Sequence, residues 1–257
     1  MLPDLIHAAR SGESLADYIE QLDVEGQLAL VLSEVKALQG LEHDPVHHPE
    51  GDVWTHVMLC VRASESADPI INLAILFHDV GKAVTRSYGE DGRVHYYAHE
   101  AAGVPVFETA AQRLGLTPEQ QTAIGFGIEN HMMGHQIHKL STRKVLALRQ
   151  DPRWELLYHV TKADEKVRQH LWDPAAFEGK MAKADQLVAQ HAQWLEHEKR
   201  VSALVDGRLI LSLVPTAEGA QVGKIKAKVR AVIEARDFQI SQDEVRELIL
   251  GEARMME

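Results

Sequence analysis

One short segment places an imidazole and a carboxylate at the end of an apolar run. His78 and Asp79 directly follow LAILF, residues 73–77. A buried carboxylate without a partner costs several kcal/mol or takes up a proton, so Asp79 needs a partner. A divalent metal ion supplies one, since carboxylate oxygens and imidazole nitrogens are both common metal ligands. The sequence therefore predicts a metal site at this helix end.

A second carboxylate lies on an apolar helical face much later in the chain. In WELLYHVTKADEKVR, Asp164 comes seven residues after Leu157, four after Val160 and three before Val167. Residues at these offsets share one face of an α-helix. Asp164 is therefore predicted to point toward the core, where it also needs a partner.

Three histidines share apolar faces in the same way. His131 and His135 continue the stripe of Ile124 and Ile128, and His56 lies beside the apolar face of the helix that begins in HPEGDVWTH. Each imidazole is therefore predicted to face the interior. A site of mixed nitrogen and oxygen ligands with open positions can activate water and neutralise phosphate oxygens.

The inward side chains form one candidate metal set. Its members come from four predicted helices and the start of a fifth: His56, His78, Asp79, His131, Asp164 and His99. A single inward histidine is more often a satisfied core residue, and 15 histidines make some alignments accidental. The other imidazoles are expected at surface or packing positions: His7, His43, His47, His159, His170, His191 and His197. A His-Asp pair at a helix end, followed much later by an inward aspartate, is a restrictive order and favours the metal site.

Helical spacing dominates the chain, and alternating strand-like runs are almost absent. The sequence therefore predicts an all-α fold, a helical bundle with N- and C-terminal helical extensions. The predicted helices cover residues 13–22, 25–39, 52–67, 70–80, 101–115, 118–134, 141–149, 153–170, 175–200, 220–236 and 241–253. YGEDGRVHYY is a hairpin-like loop, and residues 41–52 and 205–219 are expected to be connecting segments.

The chain is predicted to have three parts. They are an N-terminal helical segment (1–50), a metal-binding core (51–172) and a C-terminal helical extension (173–257). Asp52, Thr117 and Ser241 have the residue types and positions of helix N-caps.

Composition limits the partners. Lys and Arg total 27 against 38 Asp and Glu, a formal net charge of −11, which argues against strong nonspecific binding to nucleic acid or anionic membrane. Any basic surface must be local. The single cysteine, Cys60, rules out a disulfide framework within the chain and fits a reducing compartment. We expect a cytoplasmic protein with no export signal and no membrane-spanning segment.

At its inward His and Asp residues the chain resembles the HD superfamily of metal-dependent phosphohydrolases. The resemblance is closer to the HD region of bacterial tRNA nucleotidyltransferases, the CCA-adding enzymes. Five blocks are similar in order and spacing: HPEGDVWTH (48–56), LFHDVGK (76–82), YAHEAAG (97–103), ENHMMGH (129–135) and KADEKVR (162–168). Residues 205–235 resemble the following segment loosely.

The resemblance implies roles for the metal set. It implies primary metal ligands at His56, His78, Asp79 and Asp164. His99 and His131 are implied as ligands of a second metal or as substrate contacts, and Asp79 can bridge two ions. Pro105, inside the helix after YAHEAAG, predicts a late start or a kink and leaves the position of His99 open.

Other residues of the matching blocks are implied as catalytic or substrate-binding. Asp79, Lys82 and His131 are the implied catalytic groups, and a solvated lysine at the helix end is an equal alternative for Lys82. The implied substrate contacts are His99, His135 and Arg168, with Lys166 as a further candidate. An exposed, charge-paired face is the alternative for KADEKVR, and turn formation is the alternative to a rim role for His48 and Glu50.

The leading functional hypothesis is a phosphohydrolase with one or two divalent ions of Mn, Ni, Co, Mg, Fe or Zn. Its expected substrates are phosphate esters of nucleotides or of RNA ends, including 2′,3′-cyclic diesters and 2′-phosphates. Residues 1–50 lack the Gly-Ser strand turn and paired acids of a nucleotidyltransferase head, so nucleotide addition to tRNA is not expected of this chain.

Two alternatives remain open. One is a non-catalytic tRNA-binding or protein-binding remnant of a CCA-adding enzyme, in which the His and Asp residues only stabilise the core. The other is an HD-type di-iron oxygenase, which needs both His99 and His131 as ligands. The basic segment KIKAKVR (224–230) could contact RNA, but its apolar spacing favours a solvated face opposite a buried one.

Overall fold

The structure is a computed structural model that describes residues 2–43, 49, 51–168 and 172–256. The all-α prediction is confirmed. The helices are α1 (Leu2–Ala8), α2 (Gly12–Val24), α3 (Leu28–Val31), α4 (Ser33–Lys36), α5 (Val53–Arg62), α6 (Pro69–Phe77), α7 (Lys82–Thr85), α8 (His99–Leu114), α9 (Pro118–His135), α10 (Thr142–Arg149), α11 (Trp154–Val167), α12 (Pro174–Leu204), α13 (Gly207–Leu213), α14 (Gly219–Ala235) and α15 (Gln242–Arg254). A short 3-10 helix, Ile137–Lys139, separates α9 from α10. Four residues named above, His47, His48, Glu50 and His170, lie outside the described residues.

The chain divides into two compact units, Met1–Asp185 and Gln186–Glu257. We call them unit 1 and unit 2. Each unit has its own apolar core. The three predicted parts, with their boundaries at 50 and 172, remain a prediction.

Helix α6 lies at the centre of unit 1. Asp68 caps it by accepting a hydrogen bond from the backbone N–H of Ile70, and Pro69 occupies its first turn. Every residue from Ile71 to Phe77 is buried, and the helix packs against α5, α9 and α11. Because α6 is surrounded on most sides, its C-terminal end delivers His78 and Asp79 to the interior.

Two glycines allow helices to approach one another around that end. A Cβ atom at Gly81 would collide with the backbone oxygen of His99, and one at Gly134 would collide with the Thr161 side chain. Only glycine fits at such distances. The turn after α6 can therefore contact the start of α8, and α9 can lie close to α11.

The predicted hairpin is present. Strand β1 (Arg86–Tyr88) pairs antiparallel with β2 (Val94–Tyr96), and Ser87 faces His95 in the register. Ala98, which follows β2, adopts the left-handed conformation with φ of 55° at the N-cap of α8. Helix α8 begins at His99 and continues through Pro105, so the expected late start is wrong. The proline removes one backbone donor, and the surrounding helix tolerates that loss.

Several predicted boundaries need correction. The single helix predicted at 25–39 is two short helices, because Leu32 leaves the helical region with ψ of 63°. The helix predicted at 52–67 ends at Arg62. Helix α13 lies inside the predicted connecting segment 205–219, and α1 was not predicted. Short helices carry too few turns to show a period in the sequence.

Unit 2 has an aliphatic core. Its fully buried members include Ile225, Val229 and Ile249, while Lys224 on the same helix as Ile225 is exposed. This arrangement matches the solvated face expected for KIKAKVR. Among the described residues, no helix is both long enough and apolar enough to cross a bilayer.

Candidate metal centre

Five helical segments of unit 1 direct histidine and aspartate side chains to one buried place. Each side chain of the predicted metal set is at least nine-tenths buried. They are His56 from α5, His78 and Asp79 from the end of α6, His99 from the start of α8, His131 from α9 and Asp164 from α11. The structure thus brings together all six residues of the set.

The first group of potential ligands combines His56, Cys60, His78 and Asp164. One ligand atom from each residue lies within 4.8 Å of the corresponding atoms of the others. His56 Nε2 is 3.2 Å from Asp164 Oδ1, and His78 Nε2 is 3.9 Å from Asp164 Oδ2. Ligand atoms of an ion bound at about 2.0–2.2 Å lie about 3–4 Å apart, so these separations fit one cation.

The second group combines Asp79, His99 and His131. His99 Nε2 is 3.1 Å from His131 Nε2 and 3.2 Å from Asp79 Oδ1. His131 Nε2 is 3.8 Å from the same Asp79 oxygen. These separations also match ligand atoms that share an ion.

Asp79 joins the two groups. Its Oδ1 faces His99 and His131, while its Oδ2 is 3.3 Å from His78 Nε2 and 3.8 Å from His56 Nε2. Each carboxylate oxygen therefore faces a different pair of imidazoles. This is the geometry that a carboxylate needs to bridge two ions.

Three of the histidines are held in the same tautomer. In each, Nδ1 donates to the backbone carbonyl three residues earlier, which leaves Nε2 as the atom that faces the centre. The bonds are His78 to Ile75 (2.7 Å), His131 to Ile128 (2.7 Å) and His99 to Tyr96 (2.9 Å). Because a carbonyl can only accept, Nδ1 must carry the proton. Such outer hydrogen bonds are the usual support of metal-binding histidines.

A buried nitrogen atom without a hydrogen-bond partner also indicates that these residues can hold a metal ion. His78 Nε2 is fully buried and has no hydrogen-bond partner among the described residues. A buried polar atom without a partner is rare in native proteins, and a metal ion would satisfy it. Cys60 is a weaker ligand, because burial raises the pKa of its thiol to about 11 and favours the neutral form.

Charge interactions keep both aspartates of the centre ionised. Burial alone would raise the pKa of Asp79, but the Lys82 ammonium and His78 outweigh it and hold the pKa well below 3.8. Burial would likewise raise the pKa of Asp164, and His135 and His56 outweigh it. Both carboxylates are therefore charged. Burial and the neighbouring His78 lower the pKa of His131 to about 3, so His131 is neutral and has a lone pair for a ligand.

A chain of hydrogen bonds holds Asp164 from behind. His135 Nε2 is 2.6 Å from Asp164 Oδ2, and His135 Nδ1 is 3.0 Å from Glu165 Oε1. Lys180 in turn donates to both Glu165 oxygens at 2.5 and 2.6 Å. Burial lowers the pKa of His135, but the Asp164 carboxylate outweighs it and the net pKa is raised. His135 therefore orients Asp164.

Lys82 is buried, so the solvated-lysine alternative is wrong. Its Nζ donates to Asp79 Oδ2 at 2.6 Å, lies 2.9 Å from His43 Nε2 and sits 5.8 Å from the centre of the Tyr96 ring. Burial of this ammonium is tolerated because Asp79 compensates its charge. The lysine thus belongs to the centre.

A cavity of about 310 Å³ opens above the second group. Its walls contain the predicted catalytic residues, the predicted substrate contacts other than Lys166, which pairs with Glu65, and one ligand of the first group. They are Asp79, Lys82, His99, His131, His135, Asp164 and Arg168, with Met132 and Gln136. The cavity is large enough for a phosphate group and part of a nucleoside.

Comparison with known proteins gives partial matches. No protein-family model matches the chain. A multifunctional CCA protein of Halorhodospira halophila is 33% identical over 159 residues, which covers 58% of this chain and 38% of that protein. Proteins of the same name from Haemophilus influenzae and Alkalilimnicola ehrlichii are each 30% identical, covering 59% and 71% of this chain and 39% and 43% of their own lengths.

The chain is similar to part of the multifunctional CCA proteins. It spans about two-fifths of the length of the curated relatives it matches. This finding agrees with the resemblance drawn from the five sequence blocks. The roles of individual residues remain predictions.

Sequence reasoning missed three members of the centre. His43 was expected at a surface or packing position, yet it is buried against Lys82. Cys60 was regarded only as part of an apolar face, and Glu165 was not singled out. His43 lies outside the helices of the described residues, so it has no helical period to reveal its direction. The only feature of the sequence that could have assigned Glu165 to the centre is its position next to Asp164.

Proposed function

We propose that this chain is an HD-type metal-dependent phosphohydrolase that acts on phosphate esters of nucleotides or RNA ends. The observation that carries the proposal is the position of Asp79, whose two oxygens face two separate histidine pairs. Such a carboxylate suits a two-metal site, and two-metal sites are typical of phosphate-ester hydrolysis. Substrates with 2′,3′-cyclic or 2′-phosphates at an RNA end are the first candidates.

Two metal positions follow from the two ligand groups. His56, His78 and Asp164 of the first group would hold one ion together with Asp79, whose Oδ2 faces His56 and His78. Asp79, His99 and His131 would hold the second. A bound divalent ion supplies positive charge for phosphate oxygens and lowers the pKa of water. Mn, Ni, Co, Mg, Fe and Zn are all compatible with imidazole and carboxylate ligands.

Other side chains of the cavity prepare the substrate. Lys82 presents an ammonium beside Asp79, where it can contact a phosphate oxygen or protonate a departing oxygen. Arg168 also lines the cavity, and its guanidinium can pair with a second phosphate oxygen. His135 keeps Asp164 in one orientation through their 2.6 Å hydrogen bond.

The similarity to multifunctional CCA proteins supports an RNA-end substrate. Those relatives are named multifunctional CCA proteins. We take the name to refer to the CCA end of an RNA, and we propose that the matching part of this chain also acts on an RNA end. The terminal ribose of an RNA presents the 2′ and 3′ oxygens that a cyclic or 2′-phosphate would occupy. The proposal therefore places the RNA terminus in the cavity.

The decisive test compares Asp79→Ala and Asp79→Asn with the natural protein. We expect both variants to lose bound metal and to reduce hydrolysis of 2′,3′-cyclic and 2′-phosphate mononucleotides at least a thousandfold, because both ligand groups share Asp79. Metal content is measured by elemental analysis after loading with each divalent ion. Asp91→Ala is the matched control, since Asp91 lies in the exposed turn of the hairpin. Hydrolysis by either Asp79 variant at the natural rate would refute the proposal.

A non-catalytic role is the second candidate. Several polar groups of the centre already bond to one another, including Lys82 to Asp79 at 2.6 Å and His135 to Asp164 at 2.6 Å. A purely structural cluster of this kind would bind RNA or protein without turnover. Absence of metal after loading, together with RNA or protein binding, supports this role, whereas bound iron that cycles between oxidation states supports an oxygenase.

A further inference from the structure

A stretch of the chain beside the cavity contains no acidic residue. Residues 130–150 include Lys139, Arg143, Lys144 and Arg149 but no aspartate or glutamate, although the whole chain has 38 acids. The segment runs from the end of α9 through the 3-10 helix and α10. Such a stretch is unexpected in a chain with a net charge of −11.

Four cations in and near this stretch lack ionic partners. Lys139, Arg143, Lys144 and Lys183 are exposed and form no ion pair with any described residue. Most other Lys and Arg residues of unit 1 are paired, as in the bridge from Arg62 to three acids of α2. We call these four residues the basic surface.

The acids on the facing elements already have partners. Glu165 bonds to His135 and Lys180, and Asp185 forms an ion pair with Arg149. Glu178 accepts a hydrogen bond from the hydroxyl of Tyr158 at 3.1 Å. Glu165 and Asp185 are therefore engaged with other cations, and none of these three acids forms an ion pair with the basic surface.

The basic surface adjoins the candidate metal centre. Gln136 lines the cavity, and Lys139 follows it after one turn of the 3-10 helix. Lys183 lies one turn beyond Lys180 on α12, and Lys180 reaches Asp164 through Glu165 and His135. His138 lies close to Lys139, Lys180 and Lys183, because burial and the charges of these three lysines lower its pKa.

The surroundings favour a phosphate backbone over other anionic partners. The exposed large apolar residues of the described chain lie outside residues 130–185. A membrane surface or a protein partner would normally bury such residues beside the cations. The phosphate backbone of a nucleic acid instead needs only cations that follow its phosphates from the site that holds the end of the strand.

We propose that the basic surface binds the backbone phosphates of a single-stranded RNA whose terminal phosphate enters the cavity. The choice of this ligand rests on the proposed function, and the inference deepens it. The preferred substrate becomes a polynucleotide end, not a free mononucleotide. Lys139, Arg143, Lys144 and Lys183 would contact successive phosphates outside the metal centre.

The test measures binding of a short single-stranded oligoribonucleotide with a 3′-terminal phosphate to the full chain by fluorescence anisotropy. The double variant Arg143→Gln, Lys144→Gln is compared with Lys224→Gln, Lys226→Gln, which removes the same charge from unit 2. We expect the first variant to raise Kd about tenfold and to reduce the slope of log K against log salt by about one unit. The second variant should leave both quantities unchanged.

A second readout separates this inference from the proposed function. Hydrolysis of a 2′,3′-cyclic mononucleotide should be the same in Arg143→Gln, Lys144→Gln and in the natural protein, while kcat/KM for the oligoribonucleotide falls. Equal oligoribonucleotide Kd values for the natural protein and this variant would overturn the inference. The inference would also be overturned if polyglutamate displaced the oligoribonucleotide as effectively as unlabelled RNA of equal total charge. If binding depends on the basic surface but no substrate is turned over, the inference stands and the proposed function fails.

Discussion

The two units of the chain have opposite kinds of interior. Unit 2 is held by an aliphatic core that includes Val201, Ile225 and Ile249, and none of its described buried residues is charged. Unit 1 has a larger apolar core but also buries Asp79, Lys82 and Asp164 at its centre. Unit 1 therefore buries charged side chains, whereas the described core of unit 2 contains none. Burial of charge lowers stability unless it is compensated, so its concentration in one place indicates a functional site.

The largest effect on stability is expected from a truncation in the aliphatic core. Ile225→Ala should lower the free energy of unfolding of unit 2 by about 2–5 kcal/mol, because it removes buried apolar atoms and leaves a cavity. Urea denaturation followed by circular dichroism measures this loss. Leu211→Ala is the control, since Leu211 is 46% exposed and should change stability by less than about 0.5 kcal/mol.

Ile225→Ala also tests whether the aliphatic core of unit 2 and the polar centre of unit 1 have separate roles. Metal content and phosphate-ester hydrolysis should stay at the natural level in Ile225→Ala, because every proposed ligand belongs to unit 1. A parallel loss of bound metal would contradict this separation.

A smaller effect on stability is expected at the close contact in unit 1. Gly81→Ala should cost about 1–3 kcal/mol, because its methyl group collides with the His99 backbone. It should also lower turnover at least tenfold, since His99 must move away from Asp79. Thermal unfolding and steady-state kinetics measure the two effects.

Unit 2 offers a glycine for comparison. Gly223 lies in α14, and beyond the neighbouring backbone of its own helix no atom lies within 4 Å of the position that a Cβ would occupy. Gly223→Ala should stabilise by up to about 1 kcal/mol, because alanine is the better helix former. If Gly81→Ala and Gly223→Ala both raised the free energy of unfolding, the close contact at Gly81 would not explain the positioning of His99.

The smallest effect is expected in the pH dependence of the metal-free protein. The depressed pKa of Asp164 contributes stability above 3.8, and this contribution is lost as pH falls further. The raised pKa of His135 contributes stability below 6.5, and this contribution is lost as pH rises through the folded-state value. The pair should therefore stabilise unit 1 most between these two values.

Urea denaturation in a chelator at several pH values measures this profile. His135→Gln should flatten its alkaline side and reduce turnover of the loaded protein about tenfold, because Asp164 loses its support. His159→Gln serves as the control, since His159 lies outside the centre, where it pairs with the exposed Glu155 at 3.2 Å and packs edge-on against the Tyr158 ring. An unchanged profile in His135→Gln would mean that His135 does not stabilise the charged Asp164.

Much of the candidate site followed from helical spacing. The inward directions of Asp164 and His131 were predicted from their offsets to apolar neighbours, and both side chains are buried. Three proposed caps were also predicted, and Asp52, Thr117 and Ser241 each accept a backbone hydrogen bond at a helix start. These features depend on residues less than two turns apart, so the local sequence contains them.

Other features depended on long-range packing. The helix predicted at 175–200 was found as α12, but its periodic sequence carried no sign that the boundary between the units falls inside it. His43 was not assigned to the centre because 39 residues separate it from its partner Lys82. For Lys82 a phosphate contact and a solvated position at the helix end were equal alternatives, since the sequence of one turn cannot show what covers the side chain.

The sequence by itself determined the all-α fold and the set of histidines and aspartates that face inward, because helical period encodes the direction of each side chain about its own axis. Only the tertiary structure decided that these side chains form two groups joined by Asp79. The orientation of its two oxygens depends on how α5, α6, α8, α9 and α11 pack. This packing depends on contacts between residues that lie far apart in the chain, from position 56 to position 164. A local sequence pattern therefore cannot predict it.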